Sequence, residues 1–408
     1  MQTDTFDKKR MQLFLVISVF FNMAASFAHA VTPTVFNSLG LGQYMFGVAL
    51  ASMQIVSFLF SPFWGRLNDF FSSRYCLLIC SLGYAFGQFC FSQSVTELDF
   101  IIARAFTGLF TAGAWVSLLT YIISTVQDPK ERGSYLTISA TIQTVGGAFG
   151  YFVGGLLGEI SVNVTFFAQV TVLAACGVAF FFICKNDVKP KREIHPLTIL
   201  KQSNPFATFL ASREFMTAVL ATFFLMTALQ SLGTTAFDQS ANYYMRDQLG
   251  LSSGYNGVVK GATGIVTLLF NSIVTIWIIR HADLSRAMTL LFGVSSCVMT
   301  LTVLTPNPWI FIGSNVAFYV LGAALPPLLQ NLIASNSSGD NSNLVMGFYN
   351  SVKSLGGIIG ALLSGLLYAV GPKLPFVFGL IAYLIALACM LWYLSHSGKK
   401  AGSEARQA

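Results

Sequence analysis

From Leu374 to Tyr393 the chain passes through 20 residues without one charged side chain, and stretches of this kind recur along its length. A helix needs about 20 apolar residues to cross the hydrocarbon core of a bilayer. Inside lipid every backbone N–H and C=O must be satisfied by the protein itself, so an isolated apolar run of that length has to be helical. Spans are predicted near 11–33, 44–64, 75–94, 98–124, 135–160 and 164–184, and again near 215–237, 254–279, 287–305, 308–334, 345–370 and 374–395. Twelve spans predict an all-α integral membrane protein.

Composition excludes the water-soluble alternative. Only 10% of the residues are charged and 54% are hydrophobic, with a mean hydropathy of +0.67. A globular domain carries about 25% charged residues, so this chain could not cover a surface facing water. The net charge of +7 comes from basic residues scattered in short connections, which form no patch for nucleic acid. With the N-terminus inside, the tails, the even-numbered loops and the central polar stretch hold 18 of the 23 lysines and arginines. The outer loops hold Arg246 and Lys373, and Arg104, Lys260 and Lys353 fall within spans. That skew predicts a multi-pass protein of the cell membrane with both termini cytoplasmic.

Lys8-Lys9-Arg10, an apolar run and Ala28-His29-Ala30 imitate a cleaved secretory signal. The run is long enough to span, and it is read as an uncleaved first helix. The seven cysteines lie in or beside apolar runs without metal-ligand spacing, so no metal and no cofactor is expected. Asn163-Val-Thr165 forms a glycosylation sequon in an expected outer loop.

The two halves are copies. Leu39-Gly-Leu-Gly-Gln-Tyr-Met-Phe-Gly-Val48 recurs 210 residues on as Leu249-Gly-Leu-Ser-Ser-Gly-Tyr-Asn-Gly-Val258. At the same offset Gly146, Gly147, Gly150 and Gly155 reappear as Gly356, Gly357, Gly360 and Gly365. Two six-helix bundles of one topology are therefore predicted, over 1–184 and 214–396, joined by a cytosolic linker over 185–213 and followed by a tail over 397–408. Gly146, Gly150 and Gly154, like Gly356, Gly360 and Ser364, give small-residue stripes of the kind that let helices approach closely in lipid.

These features resemble the major facilitator superfamily over nearly the whole chain. Gly65-Arg-Leu-Asn-Asp69-Phe-Phe-Ser-Ser-Arg74 is similar to the family signature between spans two and three, with Phe70 where a basic residue is usual and serine for the second glycine. Arg280, Asp283 and Arg286 are its remnant in the second half. Arg104-Ala-Phe-Thr-Gly108 resembles the span-four motif of drug–proton antiporters. Gly146-Gly-Ala-Phe-Gly150-Tyr-Phe-Val-Gly154 resembles their span-five glycine motif, with Tyr151 in place of proline. The resemblance implies alternating access, with spans one, four, seven and ten lining a central cavity and two, five, eight and eleven flanking it. It implies a gating latch of Gly65, Asp69 and Arg74, with Asp69 set against a helix N-terminus.

Polar side chains within spans face protein or water rather than lipid. The substrate-binding candidates are Asn22, Gln54, Arg104, Gln143, Gln230, Lys260, Asn271, Asn315, Asn331 and Lys353. Arg104 and Lys260 can instead snorkel to the outer interface. Lys353 matches Gln143 at the 210 offset, so a shared aqueous cavity is expected there. A basic cavity favours anionic or zwitterionic solutes. His29 has a suitable intrinsic pKa for proton coupling. Asp238, at the outer end of span seven, falls one residue from the matching repeat position.

The expected function is secondary transport of small amphipathic molecules, anionic or zwitterionic ones among them, by proton-coupled efflux, with the protein acting as a monomer. An importer or facilitator of an organic anion, a flippase of a lipid-linked compound and a non-transporting sensor are the alternatives. There is no phosphate loop and no nucleophile constellation, so an enzyme is not expected.

Overall fold

The computed structural model describes residues 7–186, 203–336 and 342–404. Twelve long helices run through them: α1 (Lys8–Ser38), α2 (Met45–Phe70), α3 (Ser73–Gln93), α4 (Glu97–Thr125), α5 (Pro129–Ile160) and α6 (Val162–Ile183). Then follow α7 (Ala218–Asp247), α8 (Ser253–His281), α9 (Leu284–Leu304), α10 (Pro308–Ser335, with a turn at Ala323–Ala324), α11 (Ser342–Val370) and α12 (Leu374–Glu404). Their starts follow local chemistry. Asp7, Asp128 and Asp283 each accept a backbone N–H of the first turn. Thr96 and Asp99 form a capping box at α4.

Eleven of these helices are both long enough and apolar enough to cross a membrane. The remaining one, α5, has 32 residues, but its glycines and the Ser/Thr/Gln content of its first half dilute its apolar character. Most of the linker expected over 185–213 lies outside the described residues. Of the expected tail, residues 397–404 continue α12 as helix, and 405–408 lie outside the described residues.

The chain divides into two compact units. The first gathers Met1–Leu41, Ala49–Pro205 and Gly250–Gly264; the second gathers Gly42–Val48, Phe206–Leu249 and Ile265–Ala408. In the first unit α1 and α5 run parallel, and the Gly146/Gly150/Gly154 stripe is their seam. A methyl group at Gly150 would strike the Met23 carbonyl, and one at Gly154 the Phe27 carbonyl. Gly155 lies against Ser253 and Gly257. Phe14, Phe21, Tyr121 and Phe180 fill the core beside them.

The second unit repeats the arrangement. α7 and α11 run parallel, Gly356 lies against the Ala228 carbonyl, Gly360 against Leu232, and Gly365 against Tyr44 and Gly47. Gly40 and Gly250, with φ of 64° and 65°, are the positive-φ residues among those described. Only a residue without Cβ takes this left-handed conformation at no steric cost, which explains why the Leu-Gly-Leu turn recurs.

The Asn163 sequon does not form a loop. Asn163 and Thr165 lie in the first turn of α6, and Thr165 is fully buried with its hydroxyl on the Gly154 and Ser161 carbonyls.

Candidate functional site

α5 and α11 each carry two exposed faces of different character. On α11 the apolar face includes Ile359, Leu366 and Val370. At 100° per residue, Lys353 stands about 120° away from Ile359, together with exposed Asn350 and Ser354. One to four turns further along this polar face, Gly357, Ala361, Ser364 and Tyr368 are buried. α5 behaves likewise: Gly133, Thr137, Ala140, Gln143 and Thr144 are exposed, and Gly154 and Gly155 are buried. Each of the two helices thus carries an exposed polar strip confined to its first half and distinct from its apolar face. Gln143 lies on one and Lys353 on the other.

In the first unit, Tyr151 stands half-buried at the end of the α5 strip. Its ring stacks on His29 of α1, with centroids 5.7 Å apart and planes at 18°. Lys260 Nζ of α8 lies 5.8 Å from the same ring. Arg104 of α4 is only 4% exposed, its Cζ 4.0 Å above the Phe91 ring. Its guanidinium reaches Thr32 Oγ1 at 3.5 Å and Met53 Sδ at 3.9 Å. Both Arg104 and Lys260 are close enough to His29 to act on it electrostatically. With 4% and 8% exposure, neither cation snorkels out of the unit. Asn22 is buried and donates to the Ser18 carbonyl at 2.7 Å, and Gln54 is half-buried on α2.

The second unit has no such basic cluster among the described residues. Gln230 donates to Thr234 at 3.0 Å, and Thr234 shares a 2.7 Å hydrogen bond with the buried Tyr383 hydroxyl. Asn315 on α10 is completely buried, and both of its side-chain polar atoms lack a partner among the described residues. Asn271 opens a π-helical turn, Asn271–Thr275, and accepts from Thr275 at 2.9 Å. Asn331 is exposed.

Asp238 is a correction. The span expected to end at 237 continues to Asp247, so Asp238 lies nine residues inside α7, about 13 Å from its end. The polar residues Asn242, Arg246 and Asp247 had masked the helix in the sequence; Asn242 is in fact buried, and Asp247 accepts from Tyr368 at 3.0 Å.

In the last turn of α2, Asp69 is exposed and pairs with Arg66 one turn back at 3.4 Å. Arg74 donates to the Tyr75 hydroxyl at 2.6 Å and lies 5.1 Å from the Phe181 ring. Gly65 has open space where a Cβ would go. Beyond the expected residues, Lys373 donates to the carbonyls of Thr302 and Thr305 at the end of α9, at 2.7 and 3.3 Å. Its pKa is lowered by burial.

Sequence reasoning missed Tyr151, Thr32 and Tyr383 as partners. Only Tyr151 left a signal, as the departure from proline in the glycine motif.

The family model of the Major Facilitator Superfamily matches residues 13–298 and 223–408. The chain belongs to that superfamily. Multidrug resistance protein 1 of Bacillus subtilis (strain 168) is 23% identical over 387 residues, 91% of this chain and 93% of that protein. The quinolone resistance protein NorA of Staphylococcus aureus (strain MSSA476) is 22% identical over 371 residues, 90% and 92% of the two chains. Among solved structures, a bacterial homolog of the human lysosomal transporter Spinster, in an inward-facing and occupied conformation, aligns with a TM-score of 0.73 at 13% identity, over 96% of this chain and 97% of that one. This superfamily member is a multi-pass membrane transporter and not an enzyme.

Proposed function

We propose that this superfamily member is a secondary active transporter that expels small amphipathic molecules by alternating access, driven by returning protons. The names of its relatives, multidrug and quinolone resistance proteins, support efflux. The observation that carries the coupling is the matched placement of His29 and Asp238, two titratable side chains deep within corresponding helices. Deep ionisable groups on spanning helices are the usual proton relays of carriers.

In this reading Arg104, Lys260, Asn22 and Gln54 serve substrate in the first unit, and Gln230, Asn271, Asn315 and Asn331 in the second. The exposed polar strips with Gln143 and Lys353 face water, and Gly65, Asp69 and Arg74 gate. The carrier works as a monomer in the cell membrane with both termini cytoplasmic.

The test is dye efflux from proteoliposomes under pH gradients of either sign. Efflux accelerated by protons moving inward and slowed by the reverse gradient supports proton exchange. Flux in the same direction as protons points to an importer. Binding without flux points to a sensor.

A further inference from the structure

We propose that Arg104, Lys260, His29 and Tyr151 form a site in the first unit for the carboxylate of an aromatic organic acid. The proposal rests on the transporter reading and names its substrate class. Arg104 is the anchor. A guanidinium has five N–H donors in a fixed fork suited to a carboxylate. Here it is nine-tenths buried, and what it meets is a hydroxyl at the limit of hydrogen bonding, a thioether and an aromatic face. It forms no ion pair among the described residues. A buried charge is expensive to desolvate unless an opposite charge offsets it.

A second cation sharpens the case. Lys260 is buried near the same imidazole and ring. Both cations act on the same imidazole, so an anion held on the Arg104 guanidinium is attracted by the Lys260 ammonium as well. The half-buried Tyr151 and His29 rings, at the end of the exposed α5 strip, give an aromatic body a flat surface and a route in.

The repeat shows that packing alone does not require this cluster. The helix seams keep their glycines in both units, yet the positions matching His29, Tyr151 and Arg104 hold Asp238, Ala361 and Asn315. The last match follows from the N-caps Thr96 and Asn307.

The test is equilibrium binding by calorimetry to the purified full chain, with three probes of nearly one shape: 2-naphthoate, neutral 2-naphthamide and cationic 2-naphthylmethylammonium. Naphthoate is expected to bind at least tenfold more tightly than the other two. Arg104→Gln should weaken naphthoate at least tenfold and leave naphthamide within twofold. Lys260→Gln should weaken it severalfold, and Arg104→Lys should keep part of the preference. The two conservative readouts serve if Arg104→Gln does not fold. Equal binding of naphthoate and naphthamide, tighter binding of the cation, or a naphthoate affinity indifferent to these substitutions would overturn the site. Gradient-driven dye flux in proteoliposomes is scored separately, so a failed anion site with intact flux leaves the transporter reading standing.

Discussion

His29 in α1 and Asp238 in α7 occupy one and the same position of the two repeats. Each lies nine residues before the end of its helix. Each also lies six residues beyond the carbonyl on which a glycine of the parallel helix rests, Met23 under Gly150 and Leu232 under Gly360. The α1/α7 offset is thus 209, against 210 for α5/α11, and the one-residue mismatch seen in the sequence disappears.

His29→Gln and Asp238→Asn are expected to lower gradient-driven flux at least tenfold. Exchange without a gradient should continue in Asp238→Asn, which leaves the first unit's cluster of His29, Tyr151, Arg104 and Lys260 intact. Parallel flux measurements with and without a pH difference check this, and wild-type gradient response in both variants would remove the pair from coupling.

Lys353 lies on the exposed polar face of α11 and Ile359 on its exposed apolar face. In Lys353→Cys the new thiol should react with a membrane-impermeant maleimide well above the background of the seven native cysteines. The Ile359→Cys thiol should stay at background. Equal labelling of the two would place Lys353 on the apolar face.

The glycines divide by role. Gly150→Leu drives a side chain into the Met23 backbone carbonyl and should destabilise by at least the 1–3 kcal/mol typical of overpacking, roughly. Gly65→Ala meets open space and should leave the unfolding temperature unchanged. Any flux lost in Gly65→Ala at unchanged stability is then a gating effect.

Lys373 ties the end of α9 to the loop before α12. Lys373→Met leaves the Thr302 and Thr305 carbonyls without this donor and should destabilise by about 1–3 kcal/mol. Because burial lowers its pKa from 10.5, the unfolded chain holds the extra proton between the folded and unfolded values. Wild-type stability should therefore rise with pH in that window relative to Lys373→Met. Thermal unfolding from neutral pH to about pH 10 checks the sign.

Helix existence, duplication and the glycine seams were legible because lipid imposes a length and an apolar content that composition reports directly. Span boundaries were less so. α7 runs ten residues past its expected end because Asn242, Arg246 and Asp247 read as a loop, although Asn242 is buried and Asp247 is bonded to Tyr368. A buried polar residue and an exposed one look alike in sequence.

The sequence by itself determined the class of protein, the twelve-helix duplicated plan and the presence of unusual charges within spans. Only the tertiary structure decided what those charges meet: His29 stacked on Tyr151, Arg104 buried over Phe91, and Lys353 exposed on a polar face. The physical reason is that hydropathy is summed along the chain. The fate of a single charge depends on which side chains from distant segments surround it, and that neighbourhood exists only once the helices have packed.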